Sequence, residues 1–155
     1  MSPVNNPVVV VVDASVIVSI ASMEAATYLA AETTLEAYTE NGSEFVAPNV
    51  IVAEVIFAMC QKLAAGILTD AEHAKAVESF LDLMRNISLL NDETSLVNRS
   101  IEIRESYGCS RSSDGLYIAL AEELAKTRVV ELFTLDKGML NQAEKNAPTV
   151  TVKVC

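Results

Sequence analysis

VVVVVDASVIVSI, residues 8–20, is an apolar run broken by an acid at Asp13 and then resumed. The five valines from Val8 to Val12 are β-branched and apolar on both faces, the pattern of a short strand covered on both sides, as in a parallel sheet. After Asp13 the spacing becomes helical. In SMEAATYLAAETTLEAYTENG, Tyr28, Leu29, Leu35 and Tyr38 share a helix face, and Asn41-Gly42 ends it. EFVAP reads as a second strand closed by Pro48, with Asn49 expected to cap the apolar helix VIVAEVIFAMCQKLAAG, which stops at Gly66. Thr69 and Glu72 have capping-box spacing at the start of LTDAEHAKAVESFLDLMRN.

ISLL is a third strand. DETSLVNRSIEIRESYG is expected to be a helix capped by Asn91 or Asp92 and ended by Gly108, and SSDGLYIALAEELAKT a helix starting near Ser112 or Ser113. VVELFTLD and TVTVKV supply the fourth and fifth strands. Strands separated by helices imply right-handed crossovers and an α/β fold, with helices on both faces of a mostly parallel sheet of about five strands. In such sheets ligands sit beyond the carboxyl ends of the strands. Asp13 ends the first strand and Asp136 the fourth.

The 155 residues are expected to form one domain, 1–155, around one core. Hydrophobic residues at 51% and charged residues at 21% argue against a largely disordered chain. No apolar run reaches the roughly 18–20 residues of a membrane span, and MSPVNNP carries no Lys or Arg ahead of an apolar segment, so no membrane partner or signal peptide is expected. Cys60, Cys109 and Cys155 form no CxxC pair, which suits reduced thiols in a cytoplasm; Cys60, within an apolar helix, is expected to pack in the core. The net charge of −10 speaks against a broad basic surface for nucleic acid, and favours a divalent cation if the acids converge.

Each acid also has a structural explanation. Asp13 could be an N-cap, Asp136 could sit in a turn with Gly138, and Asp114 could complement the dipole of the helix it opens. Glu54 differs, being flanked by Ile51, Val52, Val55, Ile56 and Phe57; a carboxylate facing the core is costly unless compensated, although a solvated stripe through Ala58 and Gln61 is an alternative. Four converging carboxylates would persist only around a cation or by binding protons. Carboxylate-only ligation suits Mg²⁺ or Mn²⁺, while zinc is disfavoured by a lone His73 and no ligand-spaced cysteines.

Taken in order, VVVDAS, APNVIVAEV, SSDGLYIALA and LFTLDKGML resemble the PIN-domain nucleases, and most closely the VapC-type toxins of toxin–antitoxin pairs. The matching positions are Asp13 with Ser15 two residues on, Glu54 on a helix after a Pro-containing turn, Asp114 opening a helix that continues through Tyr117 to Ala121, and Asp136 after Thr134. The resemblance implies an α/β/α sandwich, a pocket of Asp13, Glu54, Asp114 and Asp136 holding one or two Mg²⁺ or Mn²⁺, and hydrolysis of RNA. It also implies a cognate antitoxin and a homodimer. Ser15 and Thr134 would orient the carboxylates. Arg111, Lys137, Arg85 and Lys145 are candidate rim cations, with solvated surface charge as the alternative. Gly115 departs from the Ala common in the family, at a cost of about 1 kcal/mol in a helix interior and less in a first turn.

Two other hydrolase or signalling readings lack a residue. A haloacid-dehalogenase-like phosphatase needs Asp-x-Asp where this chain has Asp13-Ala14-Ser15, and a phospho-acceptor receiver needs adjacent acids near strand one. A PIN-like scaffold that only binds protein is the non-enzymatic alternative. No GxGxxG or GxxxxGK[ST] is present.

Overall fold

The computed structural model describes residues 7–90, 92–105 and 112–155. The strands are β1 (Val9–Val12), β2 (Glu44–Ala47), β3 (Ile87–Leu89), β4 (Val130–Thr134) and β5 (Thr151–Val154). The helices are α1 (Ala14–Ala21), α2 (Tyr28–Glu40), α3 (Val50–Ala64), α4 (Asp70–Met84), α5 (Val97–Arg104), α6 (Ser112–Ala125) and α7 (Lys137–Asn146).

The sheet runs β3-β2-β1-β4-β5, and all its pairings are parallel. From β1 the chain steps one way, through β2 to β3, and then returns across the sheet to β4 and β5 on the other side. Right-handed crossovers in opposite directions place their helices on opposite faces. Accordingly α1 packs with α2, α3 and α4, while α5, α6 and α7 pack with one another. β1 is the central strand, and all four of its residues are buried, which is why it reads as uninterrupted valine. Burial of each such side chain stabilises by roughly 1.5–3 kcal/mol.

The reversal of direction falls between β1 and β4. Such a switch point leaves a crevice at the carboxyl ends of the two strands, because their following helices diverge to opposite faces. The Asp13 N–H donates to the Phe133 carbonyl at 2.9 Å, continuing the β1–β4 ladder to the acid itself.

Several local expectations hold. The Thr69–Glu72 capping box forms in both directions, and Gly42 and Gly66 take positive φ just beyond α2 and α3. Others need correction. Asn49 makes no capping bond; its side-chain amide donates to the Leu90 carbonyl, and Glu93 accepts from Val50 N at 3.1 Å in its place. Cys60 is exposed, because α3 buries Ile51, Val55 and Met59 and the next residue turns off that face. The helix foreseen from Asp92 starts instead as a 3-10 turn (Thr94–Leu96), with the Asp92 carboxylate accepting from Thr94 N and Oγ1. Asn91, Gly108 and Cys109 lie outside the described residues.

Gly115 acquires a packing reason. A Cβ there would lie 2.6 Å from the Ser100 carbonyl oxygen and 2.7 Å from Ser100 Oγ, so α6 approaches the backbone of α5 more closely than any side chain allows. Gly115→Ala is expected to lower stability by about 1–3 kcal/mol, because overpacking outweighs the gain in helix propensity. Urea unfolding checks this; an alanine variant as stable as the wild type would show that α5 yields freely.

Candidate active site

Asp13 sits at the switch point, just after β1, and is only 6% exposed. It occupies the N-cap position of α1 without making a side-chain capping bond. Its Oδ2 accepts instead from two hydroxyls: Ser15 Oγ at 2.6 Å and Thr134 Oγ1 at 2.8 Å. Thr134, wholly buried at the end of β4, also accepts from the Asp136 N–H at 3.0 Å, and Ser15 Oγ accepts from Leu135 N at 3.1 Å. Two small hydroxyl residues thus tie the end of β1 to the end of β4, and fix the first acid relative to the fourth.

Glu54 projects from the middle of α3 and is half-buried. Both of its oxygens accept bonds from α6: Oε1 from the Tyr117 hydroxyl at 2.7 Å and Oε2 from Ser113 Oγ at 2.9 Å. The apolar surroundings that made Glu54 conspicuous in sequence are therefore met by two donors. Tyr117 is fully buried. Its burial, reinforced by the charges of Asp13 and Glu54, holds its pKa well above the usual phenol value, so it remains a proton donor.

Asp114, in the first turn of α6 beside Ser113, accepts at Oδ2 from Gln142 Nε2 at 2.8 Å. Asp136 caps α7 in the manner its structural explanation anticipated, accepting from Gly138 N at 2.7 Å. Ser15, Glu54 and Asp136 line a cleft of about 570 Å³ together with Ala14, Val18, Glu24, Thr27, Ala58 and Leu135. Asp114 and Asp13 are not among the lining residues; Asp13 stands behind Ser15.

Burial pushes the Asp13 carboxyl above the usual carboxylate range, the Ser15 and Thr134 hydroxyls oppose that, and the nearby Glu54 charge adds to the rise. Two acids held close, one of them out of water, favour either a bound proton or a cation. The donors are all carboxylate oxygens, the type that Mg²⁺ and Mn²⁺ take. In donor type the site fits a hard divalent ion. Among the described residues, however, no three Asp, Glu, His or Cys side chains stand in a finished ligand arrangement.

Of the rim cations expected from sequence, Arg111 lies outside the described residues, Arg85 pairs at 3.3 Å with Asp82 on the exposed face of α4, and Lys137 is exposed beside Asp136. Lys62, two turns beyond Glu54 on α3, was not foreseen; its ammonium lies 3.6 Å from Glu24, which lines the cleft. The Ser113–Tyr117 clamp and Gln142 were also not foreseen. Gln142 had a signal, since it shares the apolar face of α7 with Met139 and Ala143, where a polar residue is out of place.

A five-stranded parallel sheet with Asp13 and Asp136 at its switch point, and Glu54 on the wall of the cleft there, defines the α/β class of the protein. More narrowly, residues 10–145 match the PIN domain model, and the chain belongs to that family. PIN domains are generally nucleases, and they typically use divalent metals. A search among curated proteins found no match.

Proposed function

We propose that this protein is a Mg²⁺- or Mn²⁺-dependent endoribonuclease, the toxin of a toxin–antitoxin pair, with Asp13, Glu54, Asp114 and Asp136 as metal ligands and catalytic acids. The observation that carries this reading is the buried Asp13 carboxylate held beside Glu54 at the switch-point cleft, an arrangement that needs a cation to be comfortable when ionised.

When bound, a hard divalent cation makes a water molecule more acidic and neutralises charge on the scissile phosphate. The protein's own groups do the rest. Ser15 and Thr134 both donate to Asp13 Oδ2, which fixes the orientation of its carboxylate. Tyr117 and Ser113 donate to both oxygens of Glu54, which fixes the orientation of its carboxylate at the cleft wall. Lys62 offers a positive charge at the cleft edge for the backbone of a bound RNA strand, exchanging Glu24 for phosphate.

A partner protein and a homodimer belong to this proposal. Ile56 and Phe57 on α3 are 54% and 64% exposed and Leu29 on α2 is 70% exposed, apolar surface suited to a partner helix or a second copy. The free thiols of Cys60 and Cys155 accord with a reducing cytoplasm, and no helix among the described residues is long and apolar enough to cross a membrane.

The test is cleavage of a mixed single-stranded RNA pool by the purified protein, with Mn²⁺, with Mg²⁺ and after EDTA, beside Glu54→Gln. Cleavage is expected with either metal, to vanish on chelation and return on readdition, and to fall on the order of 100-fold in Glu54→Gln. Saturable metal binding that Glu54→Gln leaves unchanged, together with no cleavage, would favour a protein-binding scaffold.

A further inference from the structure

Gln142 is 0% exposed and sits on α7 between the buried Met139 and Ala143, where packing alone would select an apolar side chain. Its Nε2 donates to Asp114 Oδ2 at 2.8 Å, while its Oε1 is buried with no hydrogen-bond partner among the described residues. The amide cannot be reversed to relieve this: an ionised carboxylate has no proton to give, so only the NH₂ group can face Asp114. A buried carbonyl left without a donor destabilises the fold. The residue therefore does something for Asp114 that a leucine would not.

The same helix begins at Asp136, whose carboxylate caps it through Gly138 N. α7 thus carries one acid at its N-terminus and, within two turns, the donor that holds another. It acts as a rigid spacer between Asp136 and Asp114.

We infer that Gln142 is a positioning residue, orienting the Asp114 carboxylate for a divalent cation; this rests on the metal-dependent reading above. Groups that hydrogen-bond a metal ligand set its orientation and basicity, so their loss weakens binding without unfolding the protein. The unpartnered Oε1 adds a directional consequence: removing the amide relieves a buried carbonyl, so stability and metal affinity should move in opposite directions.

The experiment titrates Mn²⁺ alone into the metal-free full chain by calorimetry, for the wild type, Gln142→Leu, Gln142→Met and Asp114→Asn, with melting temperatures recorded in EDTA. Gln142→Leu and Gln142→Met are expected to melt at the same temperature as the wild type or higher, and to bind Mn²⁺ about tenfold more weakly. On RNA, kcat is expected to fall in both while KM stays the same. Unchanged Mn²⁺ affinity in both Gln142 variants, with Asp114→Asn weakened, would overturn the assignment and leave Gln142 as packing. Failure of both variants to fold would overturn it equally. Unchanged Mn²⁺ binding in Asp114→Asn, or none in the wild type, would remove the metal-site reading itself, and the role of Gln142 with it.

Discussion

Asp13→Asn is expected to reduce RNA cleavage on the order of 10³-fold while raising the melting temperature of the metal-free protein at neutral pH. The first effect follows from the proposed metal role of Asp13: a bound cation would supply several kcal/mol of charge stabilisation, and each 1.4 kcal/mol is about a decade in rate. The second follows from burial. The folded pKa of Asp13 lies above its unfolded value of about 3.9, chiefly through desolvation, with the hydroxyl bonds opposing and the Glu54 charge adding. Between those two values the folded state holds more proton than the unfolded, so stability falls as pH rises through the window. An asparagine side chain carries no such penalty. Because both hydroxyls donate to the same oxygen, Oδ2, an asparagine carbonyl can accept both bonds in the same place. The gap in melting temperature should be full above the folded pKa and close as pH falls below about 4. Melts in EDTA across that range, with cleavage assays at neutral pH, test both halves. A gap that persists in acid would mean that the substituted side chain stabilises by packing.

Tyr117 separates packing from polar function. Tyr117→Ala is expected to cost about 3–5 kcal/mol, the range for emptying a buried aromatic site, a large share of a typical stability of about 5–15 kcal/mol. Tyr117→Phe keeps the ring and removes only the donor to Glu54 Oε1. It should cost about 1 kcal/mol yet lower cleavage about tenfold, as expected when the partner of a metal-binding carboxylate is lost. Urea unfolding and cleavage rates measured on the same preparations distinguish the two. If the phenylalanine variant cleaved like the wild type, Ser113 alone would suffice to hold Glu54.

The strand pattern and the placement of the four acids were legible because each obeys a local rule. Unbroken valine marks a strand covered on both faces, and an acid after it marks a strand end. Glu54 stood out through its apolar neighbours. What escaped the sequence depends on distance through space. The donors to Glu54 come from α6, far along the chain, and nothing in VIVAEVIFAM names them. Asn49 has the right residue type for a cap, but the Leu90 carbonyl and the Glu93 carboxylate, both from the segment after β3, reassigned its role. Cys60 was misjudged because α3 is apolar on more than its buried face: Ile56 and Phe57 are also exposed. Gly115 looked like a departure from pattern until Ser100 came against it.

The tie between Asp13 and Thr134 joins residues 121 apart in the chain. Synthesis from the N-terminus therefore releases β1 long before its neighbour β4 exists, and loop closure over so great a separation comes late in folding. A nascent chain still on the ribosome, with everything through α6 emerged, would not yet expose either Thr134 or Asp136. Its first acid would be unanchored and its fourth still held back inside the ribosome. The order of the strands thus sets an order of assembly: the cleft forms only once β4 and the residues that follow it can join β1.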